Sequence, residues 1–231
     1  MIRHHEFNSA WWGKPVGIID EVEFFSLSAS KQATLLAEFA WVEFRTTLES
    51  ANFAELHRSG FVQVDTQVRF KLGLTRLPDL PSANGLQITF ADNDRFTVPA
   101  DQIADFAAER FSYLCGASAR KIRQRYAMWG ASLIDASPEH CIQVSSASGV
   151  QGWFLASQHG GSTALTLAML HDGASTSGFL VYVAALRAFA DRGARLGTAA
   201  FSVTNAPVHN IYAALNARFV STEGCWFWVR E

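Results

Sequence analysis

Residues Gly173 to Gly193 read GASTSGFLVYVAALRAFADRG: a loop of small residues runs straight into an almost wholly apolar helix that stops at a glycine. Backbone N–H groups in such a loop are free to converge on an anion, and the positive end of the following helix stabilises the same charge. The segment therefore has the means to hold a phosphate with little help from side chains, although many loops of this kind serve only as helix entries. What flanks the helix sets the fold class.

Upstream stand three extended runs, His140 to Ala147, Val150 to Ser157 and Ser162 to Leu170, joined by turn signals at Ser148-Gly149 and His159-Gly160-Gly161. They read as an antiparallel meander. Downstream, GARLGTAAFSV is a further strand. TNAPVHNIYAALNARF then reads as a short helix with Asn205 as its cap and Pro207 in its first turn, and CWFWVR, Cys225 to Arg230, is the last strand.

This order, together with the loop before Gly178 and the pair Asn205 and Tyr212 separated by six residues, resembles the C-terminal part of the GNAT acyltransferase superfamily. Within that superfamily the chain looks most like the dTDP-fucosamine N-acetyltransferase type. SAWWGKPVG (Ser9 to Gly17), ELHRSGFVQVDTQVRFKL (Glu55 to Leu72) and an ending with Ser221, Thr222 and Trp226 carry that likeness. The resemblance implies an α/β (α+β) GNAT fold, a mixed and mostly antiparallel sheet flanked by helices. It also implies a smaller, truncated GNAT-like domain at residues 1–76 and an acyltransferase domain at 86–231.

The loop departs from the family pattern. In register, Gly178 takes the last glycine, Thr176 replaces the middle one, and Gly173 stands where the family carries Gln or Arg. Thr176 reaches a positive φ less cheaply than glycine, so the loop takes another path or uses the hydroxyls of Ser175, Thr176 and Ser177 as donors. Gly173 offers no side chain to a pyrophosphate, which leaves room for a carrier-protein thioester as donor. Asn216 replaces a glycine after the second helix, a mild change because Asn tolerates the left-handed conformation.

With 231 residues and 49% hydrophobic composition the chain can bury a sizeable core. A formal net charge of -2 with no basic block favours neither nucleic acid nor a membrane surface. The N-terminus lacks the apolar core of a signal peptide, and Arg187 interrupts the longest apolar helix, so a cytoplasmic protein is expected. Three widely spaced cysteines, Cys115, Cys141 and Cys225, fit reduced thiols.

In the N-terminal half, KPVGIIDEVEFFSLSA holds one or two short strands. SKQATLLAEFAWVEFRT has helical spacing at Leu35, Leu36, Phe39, Val42 and Glu43 with Ser30 as cap, and Asn52 to Ser59 reads as another helix. FVQVDTQVRFKL alternates as a half-buried strand. LTRLPDLPSANG supplies a linker at 77–85. Beyond it come the strand LQITFA, the helix VPADQIADFAAERFSYL and the helix ARKIRQRYAMWGASLI. The last carries Arg120, Lys121, Arg123 and Arg125, which either face solvent or meet an anionic acceptor such as a nucleotide diphosphate.

Acyl transfer to an amine needs a neutral nucleophile, a polarised thioester carbonyl and a proton for the departing thiolate. The resemblance assigns the proton to Tyr212, a phenol with a pKa of about 10. It assigns the pantetheine arm or the loop to Asn205, and thioester contacts to the strand holding Leu167, Ala168, Met169 and Leu170. The anion-binding entrance is given to Ala174, Ser175, Thr176, Ser177, Gly178 and Phe179. Packing of Tyr212 against Phe219, and plain helix capping by Asn205, are the structural alternatives. Glu139, His140, His159, His171 and Glu223 remain open as general base, beside a water chain. The histidines show no metal spacing and no cysteine has a recognisable His partner, so neither a metal nor an acyl-cysteine is expected. The aromatic clusters Trp11-Trp12 and Trp226-Phe227-Trp228 read as packing.

The resulting expectation is an N-acyltransferase acting in a ternary complex, with acetyl-CoA or another acyl-CoA as co-substrate and a small amine, favoured as a nucleotide-linked amino sugar, as acceptor. A longer acyl-CoA or an acyl carrier protein as donor, and a noncatalytic module that binds an acyl thioester or partner, are its rivals. A homodimer is compatible with all of them.

Overall fold

The computed structural model describes residues 1–231 except 79–84, 107–108, 160 and 231, and leaves out the side chain of His159. The chain opens with β1 (Ile2–His4), α1 (Glu6–Trp12), β2 (Val16–Ile19), α2 (Ala29–Leu36), β3 (Trp41–Thr47), α3 (Phe53–Arg58) and β4 (Val62–Gly73). It continues through β5 (Gln87–Phe90), α4 (Ala119–Ala136), β6 (Cys141–Ser146), β7 (Gly149–His159), β8 (Ser162–Leu170), α5 (Gly178–Asp191), β9 (Leu196–Ser202), α6 (Ala206–Ala214) and β10 (Arg218–Val229).

All ten strands join one sheet in the order β1-β2-β3-β10-β4-β9-β8-β7-β6-β5. The two parallel contacts are β2 with β3 and β8 with β9, and the rest are antiparallel. The sheet crosses the expected linker: β4 pairs with β9, and β10 inserts between β3 and β4. Most of the 77–85 stretch itself lies outside the described residues.

Two expected helices are corrected. Helical spacing over 30–46 ends at Leu36, and Trp41–Thr47 is a strand instead. Its Trp, Val, Phe and Thr side chains favour the pleated backbone, and β2 and β10 on its two edges satisfy its N–H and C=O groups. The helix expected over 98–114 is absent among the described residues. After Pro99 comes one 3₁₀ turn at Ala100–Gln102, then Ile103 bridges His171 and Ala104 N–H donates to Leu170 O at 3.0 Å. A second short turn follows at Arg110–Tyr113. Backbone groups that a helix would use internally are spent on the end of β8.

α5 lies against β5, β6 and β7, with Val181, Val183, Ala185 and Leu186 buried, which is why nearly every position of it is apolar. Phe154 meets Tyr182 edge-on in the same layer. α4 packs on the other side with Trp153, Leu155 and Phe111. Asn216, in the turn after α6, has φ of 56°, as its replacement of glycine requires. Trp226 and Phe227 are buried on opposite faces of β10, and Trp11 packs on Phe111 while its indole N–H donates to Lys121 O at 2.7 Å. Both aromatic clusters are packing.

Candidate functional site

β8 and β9 pair only at Thr163 with Gly197 and Ala164 with Thr198. Beyond that point β8 stays in register with β7, as far as Leu170 opposite Gly152, while β9 stays with β4, as far as Ser202 opposite Gln67. Each strand follows its outer neighbour, so the sheet opens between them. The side on which β8 offers its backbone follows from the period of two up to the register shift at Leu165 and Thr166: His171 N–H donates back to Gln151 O, so Ala168 and Leu170 direct theirs toward the opening. Leu170 C=O is taken by Ala104 N–H. Ala168 therefore presents its backbone groups to the gap, and Thr166 borders the same opening.

The opening leads into a cavity of about 1000 Å³ whose lining includes Thr166, Leu167 and Ala168 from β8 and Ala199, Phe201 and Ser202 from β9. Asn205 and Tyr212 of the following helix line the same cavity. Asn205 Oδ1 accepts from Val208 N–H at 3.3 Å, so it caps α6 while bordering the cavity. Tyr212 is 5% exposed, with its ring 4.1 Å from Phe70, stacked on Phe201 at 5.7 Å and edge-on to Tyr182 at 5.9 Å. Phe70, Phe201 and Tyr182, rather than Phe219, are its ring neighbours. Burial, with Tyr182 beside it, raises its pKa well above the ordinary phenol range, so it is a neutral O–H at working pH.

The loop before α5 is braced from within. Ser175 N–H and Thr176 N–H both donate to Oε1 of Gln151, at 3.0 and 2.9 Å. Gln151 is 1% exposed, and its Nε2 donates to Ser146 Oγ, Ser148 Oγ and Gly149 O. Ser175 Oγ is 2.7 Å from Ser148 Oγ, and Gly173 N–H donates to His171 Nδ1 at 2.8 Å. A neutral carboxamide thus takes two of the donors expected to face an anion. The orphan N–H groups of the first turn, on Gly178, Phe179 and Leu180, are left by the geometry of any helix start. Ala174, Ser175, Thr176, Ser177, Gly178 and Phe179 lie outside the cavity lining, as do Met169, which is in the core, and Leu170, whose side chain packs at Gly178.

The opposite wall is charged. Arg45, Asp65, Arg69 and Lys71 from β3 and β4, Glu109 and Arg110 from the turn before α4, and Arg125 of α4 all border the cavity. Burial works against the charge of Glu43, just behind this wall, but Arg110 and Arg45 outweigh it and hold its carboxyl at about 2. Arg45 Nε lies 2.7 Å and Arg110 Nε 3.4 Å from Glu43 Oε1. Tyr126 O–H donates to Glu109. His5, also on the wall, has its pKa lowered by burial. Of the expected bases, Glu139, His140, His171 and Glu223 lie outside the lining, Glu223 being paired with Arg69 at 2.6 Å, and the side chain of His159 is outside the described residues. Asp65 and Glu109 are the lining carboxylates, and sequence reasoning missed both. Their only signal was a charged residue on an alternating strand and another in a segment read as helix.

No family model matches the chain, and no curated protein matches it in sequence. Solved structures do. A GCN5-related N-acetyltransferase from Kribbella flavida superposes with a TM-score of 0.54 at 14% identity, over 94% of this chain and 82% of that one. A tandem GNAT protein from the clavulanic acid biosynthesis pathway gives 0.52 at 12% identity, over 93% and 75%. A GCN5-related N-acetyltransferase from Sphaerobacter thermophilus gives 0.54 at 14% identity, over 81% of this chain, which spans 59% of that structure's length. The chain has the GNAT fold. At these identities the likeness is one of architecture.

Proposed function

We propose that the protein is a cytoplasmic GNAT-type N-acyltransferase that passes an acyl group, most simply acetyl, from a thioester to a small amine. The observation that carries this reading is the divergence of β8 from β9 after Ala164 and Thr198, with Asn205 and Tyr212 on the cavity it opens. Strand groups that β9 does not pair, at Ala168, suit an amide-bearing arm such as pantetheine, so this part of the chain fits acyl-CoA as co-substrate. The loop fits its pyrophosphate less fully, because Gln151 holds Ser175 N–H and Thr176 N–H. That favours testing longer acyl-CoA and acyl carrier protein beside acetyl-CoA.

In this reading residues 86–231 form the acyltransferase unit and 1–76 a truncated companion whose β4 lends Arg69 and Lys71 to the cavity. The backbone of Ala168 orients the thioester, and an N–H on this edge is the group available to polarise its carbonyl. The amine lone pair forms the new C–N bond, the C–S bond breaks, and the thiolate takes a proton from the neutral Tyr212 O–H. Asp65 and Glu109 are the carboxylates placed to accept the amine's proton. The favoured acceptor, a nucleotide-linked amino sugar, suits a wall with several arginines, and a homodimer is the assembly to look for by light scattering.

The test is thiol release, followed with a thiol-reactive dye, on acetyl-CoA and longer acyl-CoAs with a panel of amines, beside thermal shift for donor binding. Tyr212→Phe keeps the ring packing and is expected to lower turnover by about 10²-fold with donor affinity unchanged. No stabilisation by any acyl-CoA or by acyl carrier protein defeats the proposal, and unaltered turnover in the variant removes Tyr212 from it.

A further inference from the structure

Among the described residues, Arg125 is the one cation on the cavity wall that is both deeply buried and without an acidic partner. It is 5% exposed, and among the described residues no carboxylate lies within salt-bridge distance of it. Its Nε donates to Asn8 Oδ1 at 3.0 Å, while its Nη1 and Asn8 Nδ2 are buried with no hydrogen-bond partner. Rings surround it: Phe111 at 4.2 Å, Phe7 at 5.3 Å, Tyr126 and Trp129 at 5.6 Å and Trp11 at 5.7 Å. The nearby acids make their contacts with other groups. Glu43 Oε1 faces Arg45 and Arg110 while its Oε2 is buried without a hydrogen-bond partner, and the two oxygens of Glu109 accept from Phe111 N–H and Tyr126 O–H. Desolvation is severe enough to pull the guanidinium pKa down to about 10.

A buried charge without a counterion is costly and is normally paired. Arg45 has Glu43 at 2.7 Å and Glu223 at 3.9 Å, Arg110 has Glu43 at 3.4 Å, and Arg69 has Glu223 at 2.6 Å, so Arg125 is the arginine of this wall left without a carboxylate at salt-bridge distance among the described residues. The groups around Arg125 come from α1, α4 and the turn at Arg110–Tyr113, elements separate from the β8 and β9 strands that border the gap.

We propose that Arg125 binds an anionic oxygen group of the acceptor, so that the amine substrate is an acidic molecule held by its carboxylate or by a phosphate. This rests on the acyltransferase reading for the word acceptor, but the anion site itself does not. A planar guanidinium matches a carboxylate's two oxygens, and its aromatic surround excludes competing water.

Isothermal titration of the whole protein with L-alanine and L-phenylalanine, with their C-terminal amides, and with thymidine diphosphate tests it. The free acids, or the diphosphate, are expected to bind, and the amides at least tenfold more weakly, matching loss of a charge-assisted hydrogen bond. Arg125→Gln and Arg125→Met should abolish that difference, and Arg125→Lys should keep part of it. Preference for the amino acids identifies a carboxylate, and preference for thymidine diphosphate identifies a nucleotide-linked acceptor. Equal binding of acid and amide by the unaltered protein, which needs no variant to fold, overturns the proposal. So do binding of none of the anions, a preference that survives in the variants, and an Arg125-dependent gain confined to succinyl-CoA, which would give the anion to the donor. Acetyl-CoA binding is measured in parallel. Absence of binding by acetyl-CoA, by longer acyl-CoAs and by acyl carrier protein, beside an intact acid preference, defeats the acyltransferase reading and leaves the anion site standing.

Discussion

Removing the charge of Glu43 probes the interior electrostatics most directly. Its side chain is 1% exposed, lies 2.7 Å from Arg45 Nε and 3.4 Å from Arg110 Nε, and its carboxyl is held at about 2 against an ordinary 4.5. At ~1.4 kcal/mol for each tenfold change in proton affinity, that fall amounts to about 3 kcal/mol of stability tied to the charged form. The sign is that of a depressed acid: the contribution is whole above pH 4.5 and is lost as pH falls from there through about 2. Glu43→Gln forfeits it at every pH and leaves Arg110 and Arg45 facing a neutral amide, for a cost of about 3–5 kcal/mol at pH 7. Urea denaturation of both proteins at pH 7, 5, 4 and 3 reads the effect. The difference between them should be largest at neutral pH and shrink below pH 4.5 as the unaltered protein loses its advantage. A difference that stays constant down to pH 3 would refute the pairing argument, because it would mean the variant suffers from packing and not from lost charge.

Two further outcomes follow from geometry. Gly152→Ala places a methyl 2.6 Å from Met169 O, a backbone atom of the adjacent strand, so β7 and β8 must part and stability should fall by more than about 2 kcal/mol in chemical denaturation. Gln151→Ala removes the acceptor for Ser175 N–H and Thr176 N–H, and amide hydrogen exchange at those two positions should accelerate while α5 stays protected. It should also cost about 1–3 kcal/mol in denaturation, and unchanged exchange would mean that Gln151 does not hold the loop.

Local pattern alone was enough for the C-terminal half. The alternation in VQGWFLAS and STALTLAML, the turn at Ser148-Gly149, the Asn205 cap before Pro207 and the apolar run after Gly178 are interactions between residues close in sequence, and the structure has an element at each of them. The tolerance of Asn216 for a positive φ was legible for the same reason. Where two periods compete, local pattern misleads. WVEFRT fits a helical stripe as well as a strand, and only β2 and β10 on its edges, one of them about 180 residues downstream, make the extended form win. Tertiary structure likewise decided the site's far wall. Nothing near Gln151 in sequence says that its carboxamide will meet a loop 24 and 25 residues later. Nothing in a row of four basic residues says which one will be buried. In the structure Arg123 pairs with Asp105, Lys121 lies over Trp12, and Arg125 is enclosed by rings from three separate segments. Backbone periodicity is a property of neighbours along the chain, whereas the partner of a charge is set by whichever distant segment the sheet brings alongside it.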